Sequence, residues 1–364
     1  MASSPFDEVV MRRALELASR GRGFVEPNPP VGAVVTRDGA VIGEGWHERF
    51  GGPHAEVAAL RAAGERARGG TLYVTLEPCC HHGKTPPCTD AIRAAGVTRV
   101  VIATGDPFPL VAGRGIAALR EAGIDVEVGV LAREAERLTA PFRTLVTRGR
   151  PWVIAKWAMS LDGRLTTAVG QGRWISSAES RGLVHDLRTR IDAIAVGIGT
   201  ALADDPLLTP RPDDAADSGP HRPLRIVLDG RARLSPTSTL VRTAREAPVL
   251  VATGPDAPAD RITMLEAAGC EVWRGADRDP AARTGALLAE LGRRQATHLL
   301  VEGGTTLLAG MFAAGQVDEA WTFVAPVIIG GATIGMPPLP AGVRLTIEDV
   351  SFPGGDVFVR GTVH

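Results

Sequence analysis

The sequence predicts an α/β protein of two domains, and three observations support that prediction. The chain has 364 residues, a length that suits two domains of ordinary size. It is 45% apolar and 22% charged, which is typical of a globular protein that buries substantial cores. Apolar strand patterns also alternate with patterns of helical spacing along most of the chain, and this alternation is typical of layered α/β sheets.

The first domain is predicted to span residues 1–146, before a linker over 147–151. The Arg-Asp-Gly segment 37–39 supplies the turn of a predicted hairpin over 31–45. Apolar residues at helical spacing predict helices over 8–18, 55–67, 89–95, 115–122 and 131–146. Short apolar runs predict strands over 71–75, 97–103 and 126–128.

The second domain is predicted to span residues 147–364 and continues the alternation of helix and strand. The predicted strands are 152–158, 193–196, 224–228, 249–252, 298–301 and 320–324. The predicted helices are 177–190, 262–268, 284–294 and 305–314. Residues 211–223 are polar and rich in proline and aspartate, so we expect a surface loop there.

The composition argues against several classes of function. The formal net charge is −1, with neither a basic cluster nor an acidic tail, so we expect no nucleic acid partner. Residues 1–8 lack the features of a signal peptide, and no run of about 18 apolar residues predicts a membrane span. Three of the four cysteines are clustered, which favours a metal site in a cytoplasmic protein over a disulfide framework.

A group of cysteines and histidines between residues 47 and 88 predicts zinc chemistry. His54, Cys79 and Cys88 are a three-ligand set for a catalytic zinc, with the fourth position left for water. Glu56 lies two residues after the histidine, where zinc deaminases place their proton carrier. Replacing a ring amine with oxygen needs a hydroxide at neutral pH, and bound zinc supplies it by lowering the pKa of water to about 7.

The local structure around these ligands is also predicted. His54 and Glu56 should open one helix, and Cys79 should lie at the start of another, where a helix N-terminus favours a thiolate. The alternative is a closed structural zinc site, for which Cys80 or His81 could supply a fourth ligand. A structural site has no need of the His-x-Glu pair, so the catalytic interpretation is preferred.

The long loop between the two cysteines makes a family resemblance specific. Eight residues separate Cys79 from Cys88, whereas cytidine and tRNA adenosine deaminases carry Pro-Cys-x-x-Cys. The loop resembles that of the RibD family, the bifunctional deaminase–reductases of riboflavin biosynthesis. Segments 28–32 and 45–47 resemble the same family. The resemblance implies a cytidine-deaminase-like three-layer fold for the first domain.

The resemblance also implies two sets of substrate contacts in the first domain. Asn28 and His47 would contact the pyrimidine end. The residues implied at the ribose phosphate are His81, His82 and Lys84. A phosphorylated substrate needs a compact cation there, which a lysine provides, whereas loop packing is the alternative role for the two histidines. Phe108 is a departure, because the family is expected to carry asparagine at that position.

The second half of the chain carries further matches to the same family. Segments 156–164, 174–176, 197–200, 203–211 and 301–307 resemble the RibD reductase domain, which has a dihydrofolate-reductase-like fold. The residues that the resemblance assigns to NADPH are Ala158, Trp174, Thr200, Asp204, Gly230, Gly304, Thr305 and Thr306. The residues that it assigns to the sugar-phosphate substrate are Gly172, Arg188, Leu208, Arg211 and Glu302. Gly172 is a departure, because the family tends to carry serine there.

Without the family, the signals of a cofactor site are weaker. The Gly-Ile-Gly segment 197–199 lacks the third glycine and the later acidic residue of a Rossmann fingerprint. The segment 303–306 follows a predicted strand and opens a predicted helix, so its backbone N–H groups could bind a phosphate. A plain strand-to-helix turn explains the same pattern about as well.

Lysine is almost absent from the chain, which makes its two lysines informative. Among the 40 residues that are Lys or Arg, only Lys84 and Lys156 are lysines. An arginine fork is broad and a lysine is a compact point charge, so the two differ most inside tight sites. We interpret Lys156 as a catalytic residue that supports reduction by a hydrogen bond or by its charge; survival by chance is the alternative. Asp162 is expected to be a turn residue, and Cys270 is expected to be buried.

The leading hypothesis is a bifunctional enzyme of riboflavin biosynthesis. The first domain would carry out hydrolytic deamination of 2,5-diamino-6-ribosylamino-4(3H)-pyrimidinone 5′-phosphate with zinc, and the second would reduce the ribosyl group to ribityl with NADPH. The family also implies a homo-oligomer, a dimer or larger. One alternative is a zinc deaminase of free or nucleic-acid bases with a non-catalytic second domain. Another is a zinc-stabilised binding module, against which Glu56 argues.

Overall fold

The computed structural model describes residues 4–81, 86–165, 174–210, 222–331, 335, 339 and 341–364. Two compact units divide the chain, Met1–Gly149 and Arg150–His364. The helix predicted over 131–146 is instead two helices, the second of which ends at Arg148. Pro141 explains the break, because it lacks the N–H that a continuous helix would need at that position.

The described part of the first unit contains one sheet and its covering helices. The strands are β1 (Gly32–Arg37), β2 (Ala40–Trp46), β3 (Thr71–Val74), β4 (Arg99–Ile102) and β5 (Asp125–Val128). The helices are α1 (Pro5–Ser19), α2 (Ala55–Ala63), α3 (Cys88–Ala95), α4 (Arg114–Glu121), α5 (Ala132–Leu138) and α6 (Ala140–Arg148). The strand order is β2-β1-β3-β4-β5, with β1 antiparallel to both neighbours and the other pairs parallel. The predicted hairpin is confirmed, since Asp38 and Gly39 at its turn have φ angles of 51° and 77°.

Helices cover both faces of this sheet, so the predicted three-layer arrangement is confirmed. Met11 and Leu17 of α1 pack with α5 against one face of the strands. Ala59 of α2, Ile92 of α3 and Leu119 of α4 pack against the other face. Buried apolar side chains alternate along the strands and supply both cores.

Two glycines of β2 let α2 approach the sheet closely. A Cβ atom at Gly43 would lie 2.4 Å from the Ala59 carbonyl oxygen, and one at Gly45 would lie 2.5 Å from the Ala59 nitrogen. A larger residue at either position would push α2 away from the sheet. Because α2 begins directly after His54, this close packing sets the position of a predicted metal ligand.

A buried charge network ties α1 to the sheet. Asp7 accepts hydrogen bonds from both Nη atoms of Arg99 at 2.9 and 3.0 Å, and from the Tyr73 hydroxyl at 2.6 Å. Arg99 also pairs with Glu127. The hydrogen bonds from Arg99 hold the pKa of Asp7 below its ordinary value of 3.8. Burial, together with the hydrogen bond to Asp7, raises the pKa of Tyr73 to about 12.

An Asp7→Asn variant is expected to lose about 2–3 kcal/mol of unfolding free energy at pH 7. The loss stays below that of a fully buried pair, because Arg99 is partly exposed and keeps Glu127. Since folding lowers the pKa of Asp7, its stabilisation is present above pH 3.8 and is lost as the pH falls through the lower folded value. Urea unfolding across this pH range measures the effect. Asp125→Asn is the matched control, because its side chain is 77% exposed; an equal loss in both variants would contradict the prediction.

The described part of the second unit also contains one sheet with helices on both faces. The strands are β6 (Trp152–Ser160), β7 (Ala193–Gly197), β8 (Leu224–Leu228), β9 (Val249–Thr253), β10 (Glu271–Arg274), β11 (His298–Glu302), β12 (Glu319–Ala325), β13 (Leu345–Ser351) and β14 (Val357–Val363). The helices are α7 (Ala178–Arg188), α8 (Ile198–Asp204), α9 (Thr239–Arg242), α10 (Ala259–Ala267), α11 (Pro280–Arg293) and α12 (Thr305–Ala313). The strand order is β10-β9-β8-β7-β11-β6-β12-β14-β13, and β14 runs in the direction opposite to the other eight strands.

Five elements of this unit, α8, α9, β10, β13 and β14, are absent from the sequence prediction. The helix α8 begins with Ile198, Gly199 and Thr200, which are poor helix formers, and core packing of Ile198 and Ala201 stabilises it. The edge strand β13 has a register shift between Ile347 and Asp349, which interrupts the period-two alternation of its apolar residues. Tertiary contacts therefore override weak local preferences at these positions.

The topology of the second sheet brings the ends of its parallel strands together. From β10 to β12 the strands run in one direction, so their carboxyl ends share one edge of the sheet. Ligands of open α/β sheets bind at this edge. Cys270 is 5% exposed within the core, as expected. No helix in the described parts of the chain is long and apolar enough to cross a membrane.

Candidate active sites

The three side chains predicted to bind zinc meet in the first unit. His54 Nδ1 lies 3.2 Å from Cys88 Sγ and 3.5 Å from Cys79 Sγ. The three ligand atoms all lie within 4.8 Å of one another. Tetrahedral ligands at zinc distances of about 2.0–2.3 Å stand about 3.5–3.8 Å apart. One nitrogen and two sulfur donors at this spacing fit a zinc ion that keeps one position for water.

Helix N-termini position this group, although not in the way that the sequence predicts. His54 is the N-cap of α2, as expected, but the prediction that Cys79 starts a helix is wrong. The helix begins at Cys88, after Pro86 and Pro87, and a proline disfavours helical backbone in the residue before it. The start of α3 still acts on Cys79, because the backbone N–H of Cys88 donates to Cys79 Sγ at 3.3 Å.

The two thiols differ in protonation. A hydrogen bond from Cys88, together with one from His54, lowers the pKa of Cys79 to about 4. The same contact with Cys79, together with burial, raises the pKa of Cys88. Cys79 is therefore a thiolate at neutral pH, and a metal that binds both sulfurs must displace the proton of Cys88.

Glu56 lies beside the three ligands without joining them. It is the second residue of α2 and is 4% exposed. Its carboxylate is not among the clustered ligand atoms of His54, Cys79 and Cys88. Burial raises the pKa of Glu56, so this carboxyl holds a proton more readily than an exposed glutamate does. A buried carboxyl that does not bind the metal has the chemistry of a proton carrier.

Asn28 and His47, expected at the pyrimidine, lie next to this group. His47 Nδ1 donates to the Pro53 carbonyl oxygen at 3.0 Å, which leaves Nε2 as an acceptor for Asn28 Nδ2 at 3.4 Å. The rings of His47 and His54 meet edge to face, with centroids 5.5 Å apart. Burial lowers the pKa of His47, so it is neutral at pH 7. Together Asn28 and His47 present uncharged hydrogen-bonding groups, which suit a neutral base.

Part of the expected phosphate-binding loop can be placed. His82 and Lys84 lie outside the described residues. The His81 ring lies 6.1 Å from the Phe108 ring, centroid to centroid, so the residue that departs from the family packs beside this loop. Cys80, the alternative fourth ligand, directs its thiol instead toward the Leu110 carbonyl oxygen, 3.8 Å away.

Glu77 organises the backbone around the metal ligands, a role that sequence reasoning missed. Its buried carboxylate accepts hydrogen bonds from the backbone N–H groups of Asp106, Gly113 and Ile116, at 3.0–3.2 Å. It therefore joins the segment that leads to Cys79 to the loop before α4 and to the start of that helix. In the sequence, Glu77 is marked only by its position before Pro78 and Cys79. No sequence pattern shows that three backbone N–H groups donate to its carboxylate.

In the second unit, four charged side chains converge. Lys156 and Glu302 stand side by side on β6 and β11. Glu302 accepts a hydrogen bond from Arg188 Nε at 2.7 Å, and Arg188 also donates to the Thr209 carbonyl oxygen at 3.3 Å. Burial lowers the pKa of Lys156; the charge of Glu302 opposes this shift, and Arg188 and Arg181 add to it. The net charge of this group is positive, which suits an anionic substrate.

A cavity of about 800 Å³ lies at the carboxyl ends of the parallel strands, and the converging charges line it. All eight residues that the family resemblance assigns to NADPH also line this cavity, as does Leu208. A cavity of this size accommodates a large organic ligand. Gly172 and Arg211 lie outside the described residues.

The turn after β11 lets a ligand approach the backbone. Gly303 and Gly304 have φ angles of 62° and 76°, which favour glycine, and α12 begins at Thr305. A Cβ atom at Gly304 would lie 3.0 Å from Thr200 Oγ1. The predicted strand–turn–helix is confirmed, and the N–H groups at such a helix start can bind a phosphate.

Asp162 has the turn role expected of it. Its carboxylate accepts hydrogen bonds from Ser160 Oγ at 2.5 Å and from the backbone N–H groups of Ile329 and Gly330 at 3.1 and 2.8 Å. These hydrogen bonds hold the pKa of Asp162 below its ordinary range. The carboxylate thus joins the end of β6 to the segment after β12.

Three arginines that line the cavity escaped prediction from the sequence: Arg181, Arg233 and Arg283. Arg181 lies over the exposed Trp174, with its guanidinium carbon 5.3 Å from the ring centroid. Arginine is so common in this chain that no local pattern distinguishes these three from surface arginines.

Comparison with known proteins decides the family. A model of the RibD C-terminal domain matches residues 151–357, and a model of the cytidine and deoxycytidylate deaminase zinc-binding region matches residues 4–104. Riboflavin biosynthesis protein RibD of Aquifex aeolicus (strain VF5) is 44% identical over 334 residues, which are 90% of each chain. The chain belongs to the RibD family.

Other members of the family are similar to this chain over nearly its whole length. RibD of Escherichia coli (strain K12) is 42% identical over 347 residues, which are 93% of each chain. The structure of Acinetobacter baumannii RibD has a TM-score of 0.83 at 36% identity, with 99% of each chain covered. A Thermotoga maritima structure named diaminohydroxyphosphoribosylaminopyrimidine deaminase/5-amino-6-(5-phosphoribosylamino)uracil reductase has the same TM-score, identity and coverage.

As a member of the RibD family, the chain is a bifunctional enzyme of riboflavin biosynthesis. It combines a zinc-dependent pyrimidine deaminase domain of the cytidine-deaminase type with a reductase domain that uses NADPH. Both cofactors suit the residues present: one nitrogen and two sulfur ligands in the first unit, and a large cavity with a glycine turn in the second.

Proposed function

We propose that the first unit deaminates 2,5-diamino-6-ribosylamino-4(3H)-pyrimidinone 5′-phosphate and that the second reduces the ribosyl group of the product to ribityl. The observation that carries the proposal is the buried Glu56 beside the clustered His54, Cys79 and Cys88. The name of the Thermotoga maritima relative supports a phosphoribosylaminopyrimidine as the substrate.

In the first reaction a C–N bond breaks, a C–O bond forms and ammonia leaves. Zinc, when bound by His54, Cys79 and Cys88, lowers the pKa of water to about 7 and so supplies the attacking oxygen. Glu56 takes a proton from the attacking water and delivers it to the ring nitrogen; it then takes the remaining proton of the new hydroxyl group and gives it to the amino group, which leaves as ammonia. Its raised pKa supports this role, because both deliveries need a carboxyl that accepts a proton readily.

The remaining residues of the first unit orient the substrate. Asn28 and the neutral His47 bind the pyrimidine edge through hydrogen bonds, since they lie together beside His54. The residues proposed to bind the ribose phosphate are His81, His82 and Lys84. A phosphate gains most from a compact cation, and Lys84 is the one lysine in the first unit.

In the second reaction the C1–O4 bond of the ribose breaks to give a protonated imine and an alkoxide, hydride adds to C1, and the alkoxide takes up a proton from water. NADPH, when bound, supplies the hydride. Lys156 Nζ donates a hydrogen bond to the sugar and places a positive charge beside it, which stabilises the alkoxide that forms as the ring opens. The residues proposed to bind the sugar-phosphate substrate are Gly172, Arg188, Leu208, Arg211 and Glu302. The pairing of Arg188 with Glu302 supports this choice, since it holds both side chains in fixed positions in the cavity.

The cofactor is proposed to extend along the carboxyl ends of the strands. The residues proposed to hold NADPH are Ala158, Trp174, Thr200, Asp204, Gly230, Gly304, Thr305 and Thr306. Their common place in the cavity supports this set. The turn at Gly304 would bind the pyrophosphate through backbone N–H groups.

The remaining proposals concern the whole chain. We assign deamination to residues 1–146 and reduction to 147–364, and we propose a homo-oligomer, a dimer or larger, in the cytoplasm. Free cysteines at positions 79, 80, 88 and 270 support a reducing compartment. Light scattering in solution tests the oligomer, and a monomer mass would refute it.

The deciding experiment for the two activities is a pair of assays on the full-length enzyme loaded with zinc. The deaminase substrate is supplied with and without NADPH, while ammonia release and NADPH absorbance are followed. We expect ammonia in both samples, and NADPH oxidation only after ammonia release begins. Ammonia without NADPH oxidation would leave a deaminase alone, and release of ammonia from cytidine or adenosine instead would favour a deaminase of free bases.

A further inference from the structure

One arginine, Arg283, lies at the end of the reductase cavity that is far from Lys156. Arg283 lies on α11 and lines the cavity. Its side chain passes the glycines that follow three neighbouring strands: Gly275 after β10, Gly254 after β9 and Gly230 after β8. The charged end of Arg283 therefore rests against the backbone that closes one end of the cavity.

The three glycines leave the space that Arg283 fills. A Cβ atom at Gly275 would lie 2.4 Å from Arg283 Cγ, one at Gly254 would lie 3.4 Å from Nη1, and one at Gly230 would lie 3.1 Å from Nη2. None of the three has a φ angle in the left-handed region, so backbone conformation does not explain the glycines. Room for the arginine side chain explains Gly275 and Gly230, and at Gly254 a Cβ atom would also meet the Gly230 carbonyl oxygen at 3.1 Å.

The hydrogen bonds of Arg283 hold one side of its guanidinium and leave the other for a ligand. Nη1 donates to the carbonyl oxygens of Asp277 and Arg278 at 3.0 and 3.1 Å. Within the described residues, no hydrogen bond from Nη2 to the protein is present, and Nη2 lies at Gly230, one of the residues proposed to hold NADPH. Arg233 lines the same end of the cavity, but it faces Asp229 Oδ1 at 3.9 Å and is 57% exposed.

The distance across the sheet indicates which part of the cofactor reaches Arg283. Lys156 lies on β6, whereas Gly230 follows β8, three strands away in the sheet. Strands stand about 4.8 Å apart, so these two points are separated by about 14 Å. A cofactor that presents its nicotinamide near Lys156, with its pyrophosphate at the turn of Gly304, therefore places its adenosine at the ends of β8 to β10.

We propose that Arg283 binds the 2′-phosphate of the NADPH adenosine and so makes the reductase select NADPH over NADH. The two dinucleotides differ only in this phosphate. A planar guanidinium already held by two carbonyl oxygens binds a phosphate through its remaining N–H groups with little further ordering. The inference rests on the proposed reductase function of the second unit.

Nucleotide binding to the full-length protein, measured by calorimetry, tests the proposal without requiring turnover. The ligands are NADP⁺ and NAD⁺, and then 2′,5′-ADP and 5′-AMP, which isolate the adenosine end. An Arg283→Gln variant is expected to bind NADP⁺ and 2′,5′-ADP about ten- to a hundredfold more weakly, with NAD⁺ and 5′-AMP nearly unchanged. Arg278→Gln is the matched control, because that side chain is 81% exposed and does not line the cavity; it should bind all four ligands as the wild type does.

The outcomes separate this proposal from the function on which it rests. Arg283→Lys retains the stem that packs against Gly275 and should bind NADP⁺ with an intermediate affinity, even if the glutamine variant folds poorly. An equal loss for NADP⁺ and NAD⁺, or no loss, in a folded Arg283 variant would overturn the assignment of the 2′-phosphate. A wild-type protein that binds neither dinucleotide would overturn the reductase function itself.

Discussion

Replacing Glu56 with glutamine is expected to slow ammonia release by about 10²–10⁴-fold while zinc stays bound. Glutamine has nearly the same shape as glutamate but cannot carry a proton. Zinc should stay bound, because the Glu56 carboxylate is not among the clustered ligand atoms of His54, Cys79 and Cys88. Folding should tolerate the change, because the side chain is buried and its burial already disfavours the charged form. Ammonia release measures the rate, and zinc analysis of the purified protein measures the metal.

Two comparisons make the Glu56 result specific. Glu65→Gln is the matched control, because Glu65 is an exposed glutamate just beyond the same helix and should leave the rate unchanged. Reduction of the already deaminated substrate should also be unchanged in Glu56→Gln. Ammonia release at the full rate would show that another group carries the proton, and loss of zinc would give Glu56 a role in metal binding.

Replacing Lys156 with methionine is expected to lower the rate of reduction by about 10²–10³-fold and to leave deamination intact. Methionine fills a similar volume but supplies neither the charge nor the hydrogen bond. NADPH absorbance with the deaminated substrate measures reduction, and ammonia release checks the first unit. Reduction at the wild-type rate would show that Lys156 has no catalytic role and that its presence in a lysine-poor chain is a matter of chance.

The pH profile of reduction should carry a second signature of Lys156. Burial, aided by Arg188 and Arg181 and opposed by Glu302, lowers the pKa of Lys156 below its ordinary value of 10.5. If the protonated form acts, the rate falls as the pH rises through this lowered pKa. Lys156→Arg should be slower, because its fork is broader, but should lose the alkaline fall, since arginine stays protonated. An identical alkaline fall in this variant would assign the titration to another group.

Much of the first site was predictable because its chemistry is encoded locally. His54 and Glu56 are two residues apart, and the cysteine ligands stand in a recognisable Pro-Cys setting, so ligand type and spacing indicate zinc without a fold. The position of Cys79 was predicted less well. Its thiolate depends on the N–H of Cys88 across the loop, and no local pattern shows that contact.

The second site was less predictable from the sequence, because its residues lie far apart along the chain. Glu302 and Lys156 are 146 positions apart in the sequence, and register between β6 and β11 makes them neighbours. The rarity of lysine in the composition singled out Lys156, and family resemblance identified Glu302, but neither showed that the two side chains are neighbours. No sequence signal marked Arg283, because the three glycines around it follow three different strands and meet only in the folded structure.

The amino-acid order alone was enough to predict the α/β class, the two-domain plan, the cluster of His54, Cys79 and Cys88, and the glutamate that we propose as the proton carrier. These features rest on periodicity and on functional groups that lie close in sequence. Only the tertiary structure shows the reductase cavity, the backbone hydrogen bonds of Glu77 and the position of Arg283 among three glycines. They depend on which strand ends meet at one sheet edge, and strand order follows from long-range packing and not from local spacing.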